Sequence, residues 1–266
     1  MAQIHSNMSN VLQRNNNIDN VENELCEIKQ VWSHNLEAEF RTIRNLVPNF
    51  RFIAMETTFP GFVARPIGEF RSTSEYKYQV LQCNVNLLKI MQLGLTFFDE
   101  NGEKPTGQYS TWQFNFKFDL CKDMYAQDAI DLLLESGVKF SKHNEIGIDV
   151  DDFVELFISS GMVLCDNVQW ISFDCSSNFG YLLKIITATN LPHEDEHFFE
   201  LLRIYFPTFY DIKHLTLSCK NLKQSLREVA EQLHLTSSGA QCHAGSNSSL
   251  AGSVFFKIRE EFFDGD

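Results

Sequence analysis

Thr111-Trp-Gln-Phe-Asn-Phe-Lys-Phe118 alternates polar and aromatic residues without a break. A period of two sends successive side chains to opposite faces of an extended chain, so this is the clearest strand in the sequence. Just upstream, Asp99-Glu-Asn-Gly-Glu-Lys-Pro105 has the turn chemistry of a hairpin, and residues 90–98 before it read as a partner strand. Further out, residues 52–55 form a short apolar strand closed by the polar run Glu56-Thr57-Thr58, and residues 168–173 form another strand. Between these lie helical patterns at 76–88, 126–134 and 150–158. Leu25, Ile28, Trp32, Leu36, Phe40, Ile43 and Leu46 recur at steps of three and four, which predicts one long helix over 21–46, ended by Pro48. From Phe179 onward the pattern is mainly helical. Strands and helices mix throughout with no internal repeat, which predicts a single α/β domain over 21–266. Its mixed central sheet is flanked by helices, its C-terminal half is helix-rich, and a polar, Asn-rich tail over 1–20 precedes it.

Composition narrows the function classes. The 266 residues carry 22 Lys and Arg against 35 Asp and Glu, a net charge of −13. Such a chain lacks the broad basic surface of non-specific nucleic-acid binders, so contact with RNA would have to be local or metal-mediated. Its 24 Phe point to an aromatic-packed core. No stretch reaches the length of a membrane span, and Met1–Asn20 has no apolar signal region. Seven scattered cysteines without a CxxC pair predict a reducing, intracellular setting, in which the sequons at Asn7 and Asn247 mean little.

Short motifs do not declare chemistry. His193-Glu-Asp-Glu-His197 matches the HExxH zinc pattern, but acids directly after Pro192 are what a helix start looks like, and nothing supplies a third ligand. Cys242-His243 are neighbours in sequence, which seldom lets a nucleophile and base face each other; the Ser/Gly/Ala-rich segment 237–252 reads as a loop entering a helix. No phosphate-cradling glycine loop occurs.

Longer runs carry a resemblance. Phe62-Val-Ala-Arg-Pro-Ile-Gly-Glu-Phe-Arg-Ser72, Cys83-Asn-Val-Asn-Leu-Leu-Lys89, Gln92-Leu-Gly-Leu-Thr-Phe97, Ser110–Phe118, Asp123-Met-Tyr-Ala-Gln-Asp128 and Cys219-Lys-Asn-Leu-Lys223 resemble the Caf/Pop-type deadenylase subunit of the Ccr–Not complex, in one register from about Val21 to Phe263. The resemblance implies a ribonuclease H-like fold and a poly(A)-specific 3′–5′ exoribonuclease at work in mRNA decay, in cytoplasm and nucleus. It also implies two divalent ions (Mg or Mn) held by four carboxylates, with a His as general base. On this chain the family's Asp-Thr-Glu-Phe-Pro-Gly reads Glu56-Thr57-Thr58-Phe59-Pro60-Gly61. The third acid falls at Asn178, the fourth at Asn247 and the base at Cys242. Four negative charges fall to one, on Glu56, which neutral amide and hydroxyl oxygens cannot make good for a hard cation. Asp174 is the one nearby acid that could compensate. The resemblance thus implies a nuclease-dead paralogue acting through partners; the alternative is an active exonuclease with a rearranged metal site. The implied partners are the Not scaffold, Tob/BTG proteins, the companion deadenylase and, where the cleft still binds it, poly(A) RNA. The scaffold would meet the helix at 150–158, where Phe157 and Ile158 are the candidate contacts.

Overall fold

The computed structural model describes residues 28–106, 109–219, 221–236 and 243–263. Six strands build one mixed sheet: β1 (Ile28–Val31), β2 (Phe52–Thr58), β3 (Gln92–Phe98), β4 (Thr111–Asn115), β5 (Gln169–Ser172) and β6 (Thr208–Asp211), in the order β1-β4-β3-β2-β5-β6. β3 is antiparallel to both neighbours, whereas the β1–β4, β2–β5 and β5–β6 pairs are parallel. Around the sheet lie α1 (Leu36–Leu46), α2 (Thr73–Leu87), α3 (Gln127–Glu135), α4 (Phe140–Ile146), α5 (Val150–Ile158), α6 (Cys175–Thr187), α7 (Asp195–Tyr205), α8 (Ile212–Ser218), α9 (Leu226–Gln232) and α10 (Ala244–Phe262).

The two faces of the sheet have different chemistry, and this places the site. On one face Ile53 and Met55 of β2, Leu93 and Leu95 of β3, and Trp112 and Phe114 of β4 join the main apolar core with Phe40, Phe153 and Phe179. The opposite face carries the alternate residues. At its β5 end these are apolar: Phe52, Ala54, Phe98 and Ile171 pack on Val254, Phe255 and Ile258 of α10. Toward β4 they are polar yet buried, namely Thr96, Gln92, Thr111, Gln113 and Asn115. Buried polar groups need partners, and these find one another and α10: Thr96 bonds Thr111 and Ser248, and Gln113 accepts from the Gly245 N–H at 3.0 Å. Close approach of α10 requires small residues. A side chain on Gly94 would overlap the Ala244 carbonyl, and one on Gly252 would overlap the Phe98 ring. By the same alternation Glu56 and Thr58 belong to this polar face.

The mixed α/β expectation holds, with element-level corrections. The segment read as one helix over 21–46 is instead β1 followed by α1. Ile28 and Val31, on opposite faces at the two ends of the strand, are buried where β1 pairs with β4, and the turn before α1 is closed by Asn35, whose Oδ1 accepts from the Trp32 N–H. β2 does not stop before Glu56 but pairs with β3 as far as Thr58 and Gln92. β4 ends at Asn115, short of Phe118, because the chain beyond turns to Ile148, which bonds Asn115 and Lys117. The half-buried edge strand β6 interrupts the region read as helical after Phe179. The tail at 1–20 lies outside the described residues.

Candidate active centre

β2, the end of β5 and the first turn of α6 converge on a single carboxylate. The Glu56 Oε1 accepts the Phe173 N–H at 2.7 Å and the Ser172 hydroxyl at 3.3 Å; its Oε2 accepts the Asn178 amide at 2.9 Å. The Asn178 NH2 also donates to the Ser172 oxygen at 2.8 Å, while its Oδ1 receives the Thr57 N–H at 2.9 Å and the Thr57 hydroxyl at 2.6 Å. The orientation of that amide is fixed. A backbone N–H can only donate, so the Asn178 oxygen must face Thr57 and its nitrogen must face Glu56. The start of α6 is held separately: Asp211, not Asp174, accepts the Cys175 N–H at 3.2 Å. Thr57, Ser172 and the Phe173 N–H complete this knot, and the sequence gives no periodic sign of Ser172 or Phe173, since a hydroxyl or N–H at a strand end has none. Only Thr57, inside the Glu56–Gly61 motif, carried a hint.

Burial dominates the Glu56 electrostatics. Desolvation pushes its carboxyl up from 4.5 to about 7, against three donors that favour the anion. The folded state therefore keeps a proton that the unfolded chain releases, and stability from this group is full below about pH 4.5 and lost as pH rises through 7. The shift corresponds to about 3 kcal/mol. Denaturant titrations of the wild type and Glu56→Gln across this window should show that decline in the wild type alone; parallel curves would contradict the assignment.

Thr58 is buried two residues along β2. Asn247 lies in the first turn of α10, and its side-chain amide bonds none of the described residues. Cys242 lies outside them. Asp174 points away from the compensating role considered for it: its carboxylate pairs with Lys213 at 3.3 Å and is half exposed. His193 and His197 are exposed at the start of α7, with Glu194 as N-cap and Asp195 and Glu196 in the first turn, as the helix-start reading predicts. Among the described residues no three His, Cys, Asp or Glu side chains converge as a metal site. A cavity of about 520 Å³ opens beside the knot, lined by Phe62, Arg65, Lys77, Ser177 and the Asp174–Lys213 pair.

On α5 the two candidate contacts separate. Phe157 is fully buried, stacked on Phe153 at 5.1 Å and edge-on to Trp170, so it is core and not a docking residue. Ile158 is 42% exposed at the helix end.

The family profile described as CAF1 family ribonuclease matches residues 31–151. The chain is 48% identical over 250 residues to a probable CCR4-associated factor 1 homolog 7 of Arabidopsis thaliana, covering 92% of this chain and 91% of that protein. It is 45% identical over 248 residues to the poly(A) ribonuclease pop2 of Schizosaccharomyces pombe, covering 93% of this chain and 74% of the relative. Among solved structures, S. pombe Pop2p in its Mg²⁺- and Mn²⁺-bound form superposes with TM-score 0.88 at 46% identity, over 91% of this chain and 95% of that one. Yeast CAF1 co-crystallised with the NOT1 MIF4G domain gives 0.74 at 32%, over 88% of each chain. The nuclease domain of 3′hExo, a DEDDh family member, shares the fold alone at 8% identity and TM-score 0.51, over 80% of this chain and 94% of that one. The fold is that of the ribonuclease H-like DEDD nucleases.

Proposed function

This chain belongs to the CAF1 family of ribonucleases, and on that premise we propose that it serves the Ccr4–Not deadenylase system as a subunit with a disabled nuclease centre, acting through its partners. One observation carries the reading: the Asn178 amide donates its hydrogens to Glu56. In a two-metal centre both positions would present lone pairs to a cation. Here Asn178 turns its NH2 toward the carboxylate 2.9 Å away and spends its hydrogens on Glu56 and Ser172, so it presents no lone pair to a metal beside Glu56. Mg²⁺ gives up hydration reluctantly and is held through carboxylates and substrate phosphates. Glu56 is the only carboxylate among the four positions aligned with the family's acids, and the two protons facing it from Ser172 and Asn178 would have to be displaced. The residues present do not fit the metal pair of the family.

The outer surface supports the partner half of the reading. The relative of known assembly, yeast CAF1, was crystallised with the NOT1 MIF4G domain. We assign the equivalent contact here to the exposed end of α5, where Ile158 is solvent-facing and the fully buried Phe153 and Phe157 hold the helix in place. Tob/BTG proteins and the companion deadenylase are further candidate partners that the family suggests, with cytoplasm and nucleus as the places of work.

Metal titration tests this reading without requiring activity. Millimolar Mg²⁺ or Mn²⁺ should shift the melting temperature of the natural chain by less than about 1 °C, and EDTA should not lower it. A variant with Glu56→Asp, Thr58→Glu, Asn178→Asp, Asn247→Asp and Cys242→His should gain about 5 °C or more at saturating Mn²⁺, because ligand that binds only the folded state stabilises it. A rise of several degrees in the natural chain would overturn the reading.

A further inference from the structure

The polar face of the sheet does not end at the knot. Beyond Gln92 and Asn115, where β4 meets β1, it opens into a second cavity of about 500 Å³, bounded by β1, α4 and the start of α10. This is well within the size range of small-molecule sites. In a chain of net charge −13, its lining contains Lys29, Lys139 and Lys142 and, among the described residues, no carboxylate. Lys29 is engaged by Glu39 at 3.5 Å. Lys139 and Lys142 are exposed and have no acidic partner among the described residues.

Two further groups in the lining lack the partner that their chemistry calls for, and an aromatic ring stands beside them. The Gln30 oxygen accepts from both Gln113 and Asn115 at 3.0 Å, which leaves the Gln30 NH2 without an acceptor among the described residues. His143 is 1% exposed, and its Nδ1 lies 2.7 Å from the Phe116 carbonyl. A carbonyl only accepts, so Nδ1 carries the proton and Nε2 is a lone-pair acceptor with no partner among the described residues. Burial lowers the His143 pKa, consistent with that neutral tautomer. Trp32, partly exposed at the rim and edge-on to His143 at 5.3 Å, offers an aromatic face.

We propose that this recess binds a nucleotide, with Lys139 and Lys142 holding its phosphate, Trp32 stacking on its base, and the Gln30 NH2 and His143 Nε2 meeting polar edges of the base or ribose. The cations select the phosphate, the ring selects an aromatic base, and the facing donor and acceptor suit a ligand that has both. The recess borders the candidate centre through Gln92, which pairs with Thr58, and His243, but nucleotide binding there does not depend on whether that centre cuts RNA.

Adenosine 5′-monophosphate is the probe, applied to the full chain in low salt. Trp112 and Trp170 are fully buried, so ligand-dependent quenching reports on Trp32. AMP should quench that fluorescence, and adenosine and ribose 5-phosphate should each bind at least about tenfold more weakly by calorimetry. The double change Lys139→Glu and Lys142→Glu, both at exposed positions, should weaken AMP by about tenfold or more and remove most of its salt dependence. Trp32→Phe should abolish the quench and keep most of the affinity; Trp32→Ala should lose about fivefold or more. Oligo(A) displacing AMP identifies an RNA chain as the natural source, and failure to displace it identifies a free nucleotide; both leave the site in place. No AMP binding at millimolar concentration, or undiminished binding to the lysine double variant, overturns the proposal.

Discussion

Replacing Ile158 with arginine is expected to abolish binding to the NOT1 MIF4G domain while leaving the melting temperature nearly unchanged. The asymmetry follows from where α5 keeps its apolar residues. Phe153 and Phe157 are fully buried and stacked, and they fix the helix against Phe40, Phe114 and Trp170. Ile158 lies past them, 42% exposed and followed by the Ser-Ser-Gly break at 159–161, so little of the fold rests on it. Exposed substitutions of this kind usually change stability by about 0.5 kcal/mol or less. At a docked apolar interface the same arginine has to be desolvated without a partner, and central interface positions commonly cost about 2–4 kcal/mol or more when disrupted, a loss of about thirtyfold to a thousandfold. Titration calorimetry with the isolated scaffold domain, paired with a thermal melt of each protein, separates the possibilities. Unchanged affinity would move the docking surface elsewhere, and a large fall in melting temperature would place Ile158 in the core.

How much of this was legible in the sequence depended on the scale of the signal. The Thr111–Phe118 alternation located β4 and the face on which its aromatics pack, because a strand buried on both sides still sorts apolar from polar residues. It could not show that Gln113 and Asn115 are buried too, since α10, the element that covers them, lies more than a hundred residues downstream. Local period misled at 21–46: Ile28 and Val31, three apart, suit a helix as well as the ends of a four-residue strand, and only pairing with β4 decides between them. β6 escaped because none of its residues is fully buried. At the candidate centre, the neutral side chains of Thr58, Asn178 and Asn247 could be read from residue identity, and the resemblance implies that the family carries acids there. The way Asn178 bonds Glu56 could not. Whether an asparagine presents its oxygen or its nitrogen to a carboxylate is decided by a third group, here the Thr57 N–H, which becomes a neighbour only in the folded chain.

The largest effect concerns catalysis. Among the four aligned positions only Glu56 can carry a charge, and its pKa of about 7 leaves even that charge partly neutralised near neutrality. Restoring one acid should achieve little, because ligands of one metal cluster act as a unit and their effects are not additive. Asn178→Asp alone would set a second carboxylate against Glu56 in a buried site with no cation between them. Joint restoration of Glu56→Asp, Thr58→Glu, Asn178→Asp, Asn247→Asp and Cys242→His returns the charge and the base together, and should raise the rate by about a thousandfold or more over the natural chain. The decisive measurement is a deadenylation time course of the natural and restored proteins on 5′-labelled RNA ending in oligo(A), in Mg²⁺ and separately in Mn²⁺. The account predicts an unshortened tail with the natural chain and progressive shortening with the restored one. Metal-dependent shortening by the natural chain would contradict it and make Asp174 the first residue to replace.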